Sequence, residues 1–387
     1  MFLIIIYKEY NVRFYFGYNH SKKILTSEVI LMPIILYVDI NSFFVSVEIA
    51  NNPKLKVHTF LAVAGSESSR KGVIMTANYA SRDYGVKAGM SNRDALQLCP
   101  NLKLIPPNMD LYKEYSNKVM DILFSYTHKV EKRSIDEACI DISGLVFDYD
   151  NGKFLALKII NEIKKTLDIS VSVGLSFNKS MAKLGSDLAG PLEVFLIAKE
   201  SIETIVWPLP VKYLMGAGPK TCKKLRNVDI NTIGDLANTD ILLLKTILKK
   251  QGEALYNCAN GLDASPVNHV QTLPKSIGNS KTVSSDMTTI EECEELLKSI
   301  AISIEQRLLK YQATATTISI VIRTNDFNTI TRQKTFEGPI SSGDTIYKEA
   351  CLLFKENWKT EIPVRLLGIS MSGIEYFKRQ LSFMDMI

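Results

Sequence analysis

Three acidic residues in two distant segments are the first candidates for chemistry in this chain of 387 residues. Asp39 follows an apolar run, residues 34–38, that predicts a buried strand, and Asp136 and Glu137 stand together between two further apolar segments. An unpaired carboxylate beside a buried strand is costly. Carboxylates that met from two segments would form a hard oxygen site suited to Mg²⁺. Two such ions support phosphoryl transfer.

Each acid also has a plainer interpretation. Asp39 can cap the helix that begins near Ser42, and Asp136 with Glu137 can form the solvated tip of a hairpin. Adjacent residues of a strand point to opposite faces, so Asp136 and Glu137 can share one site only where a turn or bulge redirects one of them. The residues taken alone leave these alternatives open.

Hydrophobic periodicity predicts the elements that must position the acids. The predicted strands cover residues 34–40, 60–64 and 169–176, with two more between 130 and 143. The predicted helices cover residues 42–50, 111–126, 154–167 and 180–189. A composition break at Trp207 introduces short helices, and a polar linker near residue 271 precedes a last group of helices and strands. An α+β multidomain chain is expected.

Composition bounds the class of protein. Hydrophobic residues at 46% and charged residues at 22% exclude a disordered or fibrous chain. The formal charge of +5 is compatible with a polyanionic partner without requiring one. Six scattered cysteines without a CxxC pair argue against a disulfide scaffold or structural zinc and favour the cytoplasm. No run approaches the roughly 18 apolar residues of a membrane span.

Three motifs, in order, carry a specific resemblance. They lie at residues 37–48 (YVDINSFFVSVE), 76–90 (TANYASRDYGVKAGM) and 134–138 (SIDEA). Together they resemble the signature of the Y family of DNA polymerases, most closely its DinB branch, and the likeness extends from Met32 to the end of the chain. The resemblance implies a right-hand polymerase with a palm, small fingers, a helix-hairpin-helix thumb and a C-terminal little finger.

The same resemblance divides the chain into segments. The palm would comprise residues 32–50 and 105–206, the fingers 51–104, the thumb 207–268, a linker 269–274, the little finger 275–377 and a tail 378–387. Residues 1–31 show no clean period, and we interpret them as an N-terminal extension outside the folded unit, with Met32 as the natural start.

The resemblance assigns a role to each matching position. Asp39, Asp136 and Glu137 would bind two Mg²⁺ ions, with the carbonyl of Ile40 as a further ligand. Phe44 would be the steric gate that excludes a ribose 2′-hydroxyl, while Phe43 either packs the helix or stacks under the sugar. Tyr79 and Arg82 would hold the β and γ phosphates, for which an arginine fork and a tyrosine hydroxyl are suitable donors.

One position departs from the family pattern. Where the family usually has a lysine that reaches the triphosphate, this chain has Gly190. Either another cation substitutes, with Lys183 and Lys179 as candidates, or the triphosphate binds more weakly.

Two further segments resemble DNA-binding and partner-binding motifs. Gly216 and Gly218 resemble the turn of a helix-hairpin-helix that contacts a DNA phosphate, supported by Lys220, Lys223 and Lys224, although a simple interhelical turn also uses glycine. The tail resembles a sliding-clamp peptide through Gln380, Leu381, Phe383 and Met384. Its alternative is a frayed terminus.

The function implied is low-fidelity, template-directed DNA synthesis across lesions by a monomer without proofreading, acting on primer-template DNA and dNTPs, without a membrane. The alternatives are a UmuC-type polymerase that needs accessory subunits, a catalytically weak DNA-binding relative, suggested by Gly190, and a palm-type nucleotide cyclase. The cyclase interpretation is disfavoured because such cyclases lack the segments that here resemble a helix-hairpin-helix and a clamp peptide, and because this chain has no Gly-Gly-Asp-Glu-Phe turn.

Overall fold

The computed structural model describes residues 32–65, 72–268, 273–358 and 362–377, together with the backbone of three strands within residues 1–31. The chain divides into two compact units, residues 1–270 and 271–387, and each is described by itself. Every helix in the described residues is too short or too polar to span a bilayer.

The first three strands form a sheet of their own. They are β1 (Phe2–Lys8), β2 (Asn11–Gly17) and β3 (Leu25–Ile30), paired antiparallel in that order. Residues 1–31 show no clean hydrophobic period, and these three strands were not predicted. Antiparallel neighbours need only short connections, so such a sheet can form without a long amphipathic pattern.

The rest of the first unit begins with alternating strands and helices. Its strands are β4 (Ile35–Ile40), β5 (Leu61–Ala64), β6 (Ile74–Ala77), β7 (Lys103–Ile105), β8 (Val130–Lys132), β9 (Glu137–Asp141), β10 (Val171–Ser176) and β11 (Val194–Ile197). Its helices are α1 (Phe43–Asn51), α2 (Tyr79–Asp83), α3 (Asn92–Leu98), α4 (Met109–Tyr126), α5 (Tyr149–Leu167) and α6 (Lys179–Leu188). Helix α5 begins five residues before its predicted start because Asp148 caps it, accepting a hydrogen bond from the Asn151 N–H.

Strand β4 lies at the centre of a five-stranded sheet with the order β11-β10-β4-β9-β8. Its alternate side chains serve two cores. Leu36 and Val38 pack in the large core shared with α1, α4 and α5, whereas Ile35 and Tyr37 pack on the other face against Ala182 of α6. The smaller sheet, β6-β5-β7, carries α2 and α3.

Helix α6 approaches the central sheet closely because a glycine faces it. A Cβ atom at Gly174 of β10 would lie 1.8 Å from the carbonyl oxygen of Ala182, and a Cβ at Gly185 would lie 3.1 Å from Gly174 Cα. Only glycine at 174 permits this packing distance. The side chains of α6 are thereby brought down onto the face of β4 that carries Tyr37.

Four short helices complete the first unit. They are α7 (Pro219–Arg226), α8 (Ile233–Ala237), α9 (Ile241–Leu248) and α10 (Lys250–Ala259). Thr232 and Asp235 form a capping box at the start of α8. The buried faces of the four helices share a core that also includes Phe177 and Met181 near the start of α6.

The second unit is a four-stranded antiparallel sheet packed against two helices. The elements are β12 (Ser276–Met287), α11 (Ile290–Lys310), β13 (Ala313–Thr324), β14 (Thr329–Ile340), α12 (Gly343–Asn357) and β15 (Val364–Tyr376). The strand order is β12-β15-β13-β14. Ile300 and Ile304 of α11 and Phe354 of α12 are among the side chains that build its core.

Candidate active site

Asp39 and Glu137 are cross-strand neighbours. In the antiparallel pairing of β4 with β9, Asp39 lies opposite Glu137 and Tyr37 opposite Cys139. Alternation along each strand puts these four residues on the face that α6 covers, because Tyr37 and Cys139 pack there against Ala182. The two carboxylates therefore point into the same space, at the end of the sheet where β4 runs into α1.

Asp136 reaches this region from a bend that precedes β9. The N–H of Ile40 donates to the carbonyl oxygen of Asp136 at 3.0 Å, so the backbone of Asp136 lies directly beside the end of β4. The bend frees its side chain from strand alternation, as two adjacent acids at one site require. The Asp136 carboxylate accepts a hydrogen bond from Ser134 Oγ, and the hydrogen bonds of the structure do not join it to Asp39.

Lys183 of α6 holds the other two acids together. Its Nζ lies 2.9 Å from Asp39 Oδ2, 2.6 Å from Glu137 Oε1 and 2.9 Å from Asp187 Oδ1, and its side chain is 16% exposed. The same ammonium sits over the Tyr37 ring, 5.1 Å from its centroid. The second oxygen of Glu137 accepts from Tyr37 Oη at 2.9 Å. The site is therefore arranged to concentrate negative charge around one cation.

The protonation of the cluster follows from burial and from Lys183. Burial raises the pKa of Asp39 to about 6, although Lys183 opposes this shift. Burial would also raise the pKa of Glu137, but hydrogen bonds from Lys183 and Tyr37 hold it below its usual range. Burial would lower the pKa of Lys183, yet its carboxylate partners outweigh that and raise it. Glu137 and Lys183 are thus charged near neutral pH, and Asp39 is protonated more easily than Glu137.

The acidic residues have the chemistry that a divalent cation requires, although their side chains are not arranged around one common point. Among the described residues, no three His, Cys, Asp or Glu side chains are arranged to hold a metal ion. The donor chemistry is nevertheless that of a hard-cation site, with two carboxylates facing each other and a third acid in the adjoining bend. The ammonium of Lys183 between Asp39 and Glu137 shows that the pair accepts a positive charge.

The two phenylalanines at the start of α1 have different environments. Phe43 is only 2% exposed and packs in the main core. Of the two roles that the sequence left open for Phe43, this is the packing role. Phe44 is half-buried, and its ring centroid lies 4.8 Å from that of Tyr112 in α4. Tyr112 is itself fixed by a 2.6 Å hydrogen bond from its hydroxyl to Glu48 Oε1. The Phe44 ring is therefore supported from behind.

Tyr79 and Arg82 lie together at the surface of the smaller sheet. Tyr79 is the first residue of α2, capped by Asn78, and is 46% exposed. The Arg82 guanidinium stacks over its ring at 5.1 Å and donates through Nε to the carbonyl of Ala77 at 2.9 Å. The Tyr79 hydroxyl and the Arg82 guanidinium are thus hydrogen-bond donors held side by side on a capped helix.

Asn41 links Tyr79 to the central sheet, and the sequence motifs did not identify it. Its Nδ2 lies 3.2 Å from Tyr79 Oη and 2.7 Å from Ser172 Oγ of β10. The signal in the sequence was its place, because Asn41 stands between Asp39 and Phe43 within the first motif and directly follows the strand that carries Asp39.

The two lysines named as substitutes at Gly190 already have carboxylate partners. Lys183 lies in the acidic cluster described above. Lys179 binds Glu131 Oε2 at 3.0 Å and the carbonyl of Pro266 at 2.8 Å, so it ties the end of the first unit to β8. Gly190 itself follows α6, and its N–H donates to Glu193 Oε2 at 3.0 Å.

The proposed helix-hairpin-helix residues surround the start of α7. Gly216 has φ +94°, a backbone conformation that favours glycine, and a Cβ at Gly218 would meet no atom within 4 Å. The i, i+3, i+4 spacing puts three exposed lysines on one helix face: Lys220, Lys223 and Lys224. The opposite face is buried through Thr221, Cys222 and Leu225. Gln380, Leu381, Phe383 and Met384 lie outside the described residues.

Comparison with known proteins agrees with this arrangement. A model of the impB/mucB/samB family matches residues 38–187, and a model of the same family's C-terminal domain matches residues 274–383. The chain is 38% identical over 357 residues to DNA polymerase IV of Clostridium kluyveri, covering 92% of this chain and 89% of that protein. It is 39% identical over 338 residues to DNA polymerase IV 1 of Bacillus subtilis, covering 87% and 81% of the two chains.

Solved structures extend the likeness to the fold. The Y-family DNA polymerase chimera Dbh-Dpo4(243-245)-Dbh superposes with a TM-score of 0.79 at 27% identity, over 89% of this chain and 100% of that one. A Dbh ternary complex superposes with a TM-score of 0.63 at the same identity and coverage. The predicted fold class is confirmed, and the chain belongs to the Y family of DNA polymerases, on its polymerase IV branch.

Proposed function

We propose that the cluster around Asp39 and Glu137 is the nucleotidyl-transfer site of a template-directed, translesion DNA polymerase that joins dNTPs to a primer 3′-hydroxyl. The polymerase activity rests on the family membership. The observation that supports this location is the cross-strand pairing of Asp39 with Glu137. The hydrogen bond from the Ile40 N–H to the Asp136 carbonyl oxygen adds the third acid to the same end of the sheet. The sequence has no exonuclease-like set of acids beyond this constellation, and we propose that the enzyme does not proofread.

Asp39, Asp136 and Glu137, with the carbonyl of Ile40, would hold divalent cations, and we propose two Mg²⁺ ions. Bound cations of this kind lower the pKa of the attacking hydroxyl and neutralise charge on the triphosphate. Asp39 and Glu137 supply fixed negative charge on one face of the sheet. Lys183 neutralises that charge until a cation competes for the same oxygens.

We predict an acid limb in the pH–rate profile that depends on metal concentration. Because the Asp39 pKa is raised to about 6, the carboxylate becomes protonated as the pH falls through 6 and ceases to be a ligand. At subsaturating Mg²⁺ the rate of single-nucleotide insertion should fall about tenfold per pH unit below this midpoint. Saturating Mg²⁺ should move the midpoint to lower pH. A midpoint that ignores metal concentration would contradict the assignment.

Tyr79, Arg82 and Phe44 would bind the incoming nucleotide. Tyr79 and Arg82 offer hydroxyl and guanidinium donors to the β and γ phosphates. Phe44, supported by Tyr112, would lie against the sugar and act as the steric gate. Phe43 serves the core instead.

Restoring a lysine at Gly190 should strengthen nucleotide binding. We expect Gly190→Lys to lower the apparent KM for dNTP about fivefold, since one charge-assisted contact to phosphate contributes about 1 kcal/mol at a half-exposed site. The atoms nearest to a Cβ at 190 belong to the flexible carboxylate of Glu193, the first of them at 2.8 Å.

Two further variants, Glu193→Gln and Gly190→Met, test whether the change in KM comes from the new charge. Glu193 would compete for the new ammonium, so the decrease should be larger in Glu193→Gln than in the wild type. Gly190→Met, which is long but neutral, is the control and should not lower KM. Equal KM values for the lysine and methionine variants would show that no triphosphate contact forms.

We propose that the start of α7 contacts the DNA backbone. The start of α7, which no side chain caps, and its lysine face are suited to phosphate. Such contacts position a duplex without reading its sequence. We further propose that the chain acts as a monomer in the cytoplasm.

The tail is proposed to bind a sliding clamp through Gln380, Leu381, Phe383 and Met384. Deleting residues 378–387 should remove clamp-dependent processivity and leave distributive synthesis by the polymerase unchanged. The measurement is product length on a primed template under single-encounter conditions, with and without the clamp. Clamp stimulation that survives the deletion would refute this role.

The function as a whole is tested by primer extension with Mg²⁺ on an undamaged and a lesion-bearing template. We expect template-dependent extension on both, with errors that no excision step removes. Incubation with nucleotide alone addresses the cyclase alternative, which predicts a cyclic product without primer. Absence of extension by the wild type under all metal conditions would favour a non-catalytic DNA-binding relative.

A further inference from the structure

Asn41 joins three parts of the active site through one buried side chain. It is 7% exposed and directly follows β4. Its amide nitrogen contacts Ser172 of β10 at 2.7 Å and the hydroxyl of Tyr79 in α2 at 3.2 Å. Ser172 Oγ in turn lies 2.9 Å from the carbonyl oxygen of Gly190. A continuous hydrogen-bonded path therefore runs from the Gly190 segment to Tyr79.

The direction of each hydrogen bond follows from counting hydrogens. Ser172 has one hydroxyl hydrogen, and two carbonyls stand ready to accept it: Gly190 at 2.9 Å and Ala189 at 3.2 Å. With its hydrogen used there, Ser172 Oγ must accept from Asn41, so the nitrogen of the amide faces Ser172. The second hydrogen on that nitrogen is then directed at Tyr79 Oη.

Tyr79 consequently accepts a hydrogen bond from Asn41 and keeps its own hydroxyl hydrogen for another acceptor. The ring is nearly half exposed, with Arg82 stacked on it. The opposite amide orientation would make Asn41 Oδ1 an acceptor for Tyr79 and take that hydrogen away. In the observed orientation Oδ1 is buried without a hydrogen-bond partner. This unpartnered acceptor is a cost, but flipping the amide would set Oδ1 against Ser172 Oγ, whose hydrogen is already donated to a carbonyl. The two N–H bonds therefore favour the present orientation.

We propose that Asn41 is a positioning residue that orients the Tyr79 hydroxyl as a donor toward the nucleotide's triphosphate. The inference rests on the proposed function, because it requires Tyr79 to meet phosphate. Asn41 acts through Tyr79 and does not itself touch the reacting atoms. Ser172 and the Gly190 carbonyl fix the amide orientation, so the segment after α6 influences nucleotide binding through its backbone.

The test is a double-mutant cycle between Asn41→Ala and Tyr79→Phe, read as apparent KM and kcat for single-nucleotide insertion. Tyr79→Phe should raise the KM for dNTP about tenfold, the effect of one hydrogen bond to a charged group. Asn41→Ala should raise it about fivefold, with kcat within twofold. The double variant should match Tyr79→Phe alone, because Asn41 has no effect once the hydroxyl is absent.

Ser172→Ala provides a second variant in case Asn41→Ala unfolds the chain, which its Tm would reveal. It removes the group that fixes the amide orientation, so it should raise KM in the wild type and have no effect in Tyr79→Phe. Effects that multiply in the double variants, or that fall on kcat with KM unchanged, would overturn the inference. Loss of extension in the wild type would instead overturn the proposed function.

Discussion

Replacing Asp39 with asparagine will reduce primer extension by about 10³-fold or more, equivalent to about 4 kcal/mol of transition-state stabilisation. Asparagine has nearly the same shape, so the sheet is retained while one of the two facing carboxylates loses its charge. The cluster would then keep Lys183 with fewer anionic partners, and its affinity for a divalent cation would fall. The measurement is the single-turnover rate of nucleotide insertion over a range of Mg²⁺ concentrations.

A matched control separates charge at this site from charge in general. Asp168 is the C-cap that follows α5, with φ 53°, and it pairs with Lys56 and Lys164 at the surface. Asparagine tolerates that left-handed conformation, and exposed ion pairs contribute little, so Asp168→Asn should extend primers at the wild-type rate. If Asp39→Asn retained a tenth or more of the activity, the acidic cluster would not be the catalytic centre.

Replacing Phe44 with alanine will let ribonucleotides compete with deoxyribonucleotides. Forcing an additional group against a supported ring costs about 1–3 kcal/mol, so removing the ring should reduce the preference for dNTP over rNTP by up to about 10²-fold. The Tyr112 ring packs against the Phe44 ring, and a hydrogen bond from Tyr112 to Glu48 holds Tyr112 in place. The Phe44 ring therefore cannot easily move away from an additional group on the sugar. The measurement is the ratio of kcat/KM for dNTP and rNTP opposite the same template base.

The neighbouring phenylalanine is the control for this prediction. Phe43 is buried in the main core, so Phe43→Leu should lower the free energy of unfolding by about 1–3 kcal/mol and leave the dNTP/rNTP ratio close to that of the wild type. A large change in the ratio for Phe43→Leu, with none for Phe44→Ala, would reverse the roles assigned to the two rings.

Much of the fold and site could be predicted from local pattern. The run at residues 34–40 forms β4, the spacing at 111–126 corresponds to α4, and the acids mark the ends of β4 and the start of β9. These features depend on residues close in the chain, for which hydrophobic periodicity is informative. The start of α5 was missed because the Asp148 cap, rather than the apolar pattern, sets it.

The sequence by itself determined which residue types are available, the order of the family's motifs and the elements that carry them. Only the tertiary structure decided which side chains meet. Asp39 faces Glu137 because of the strand order, and Lys183 reaches both because Gly174 lets α6 approach the sheet. The Asn41 path to Tyr79 and Ser172 likewise joins segments separated by 38 and 131 residues. Such contacts depend on sheet order and packing distance, which no local periodicity encodes.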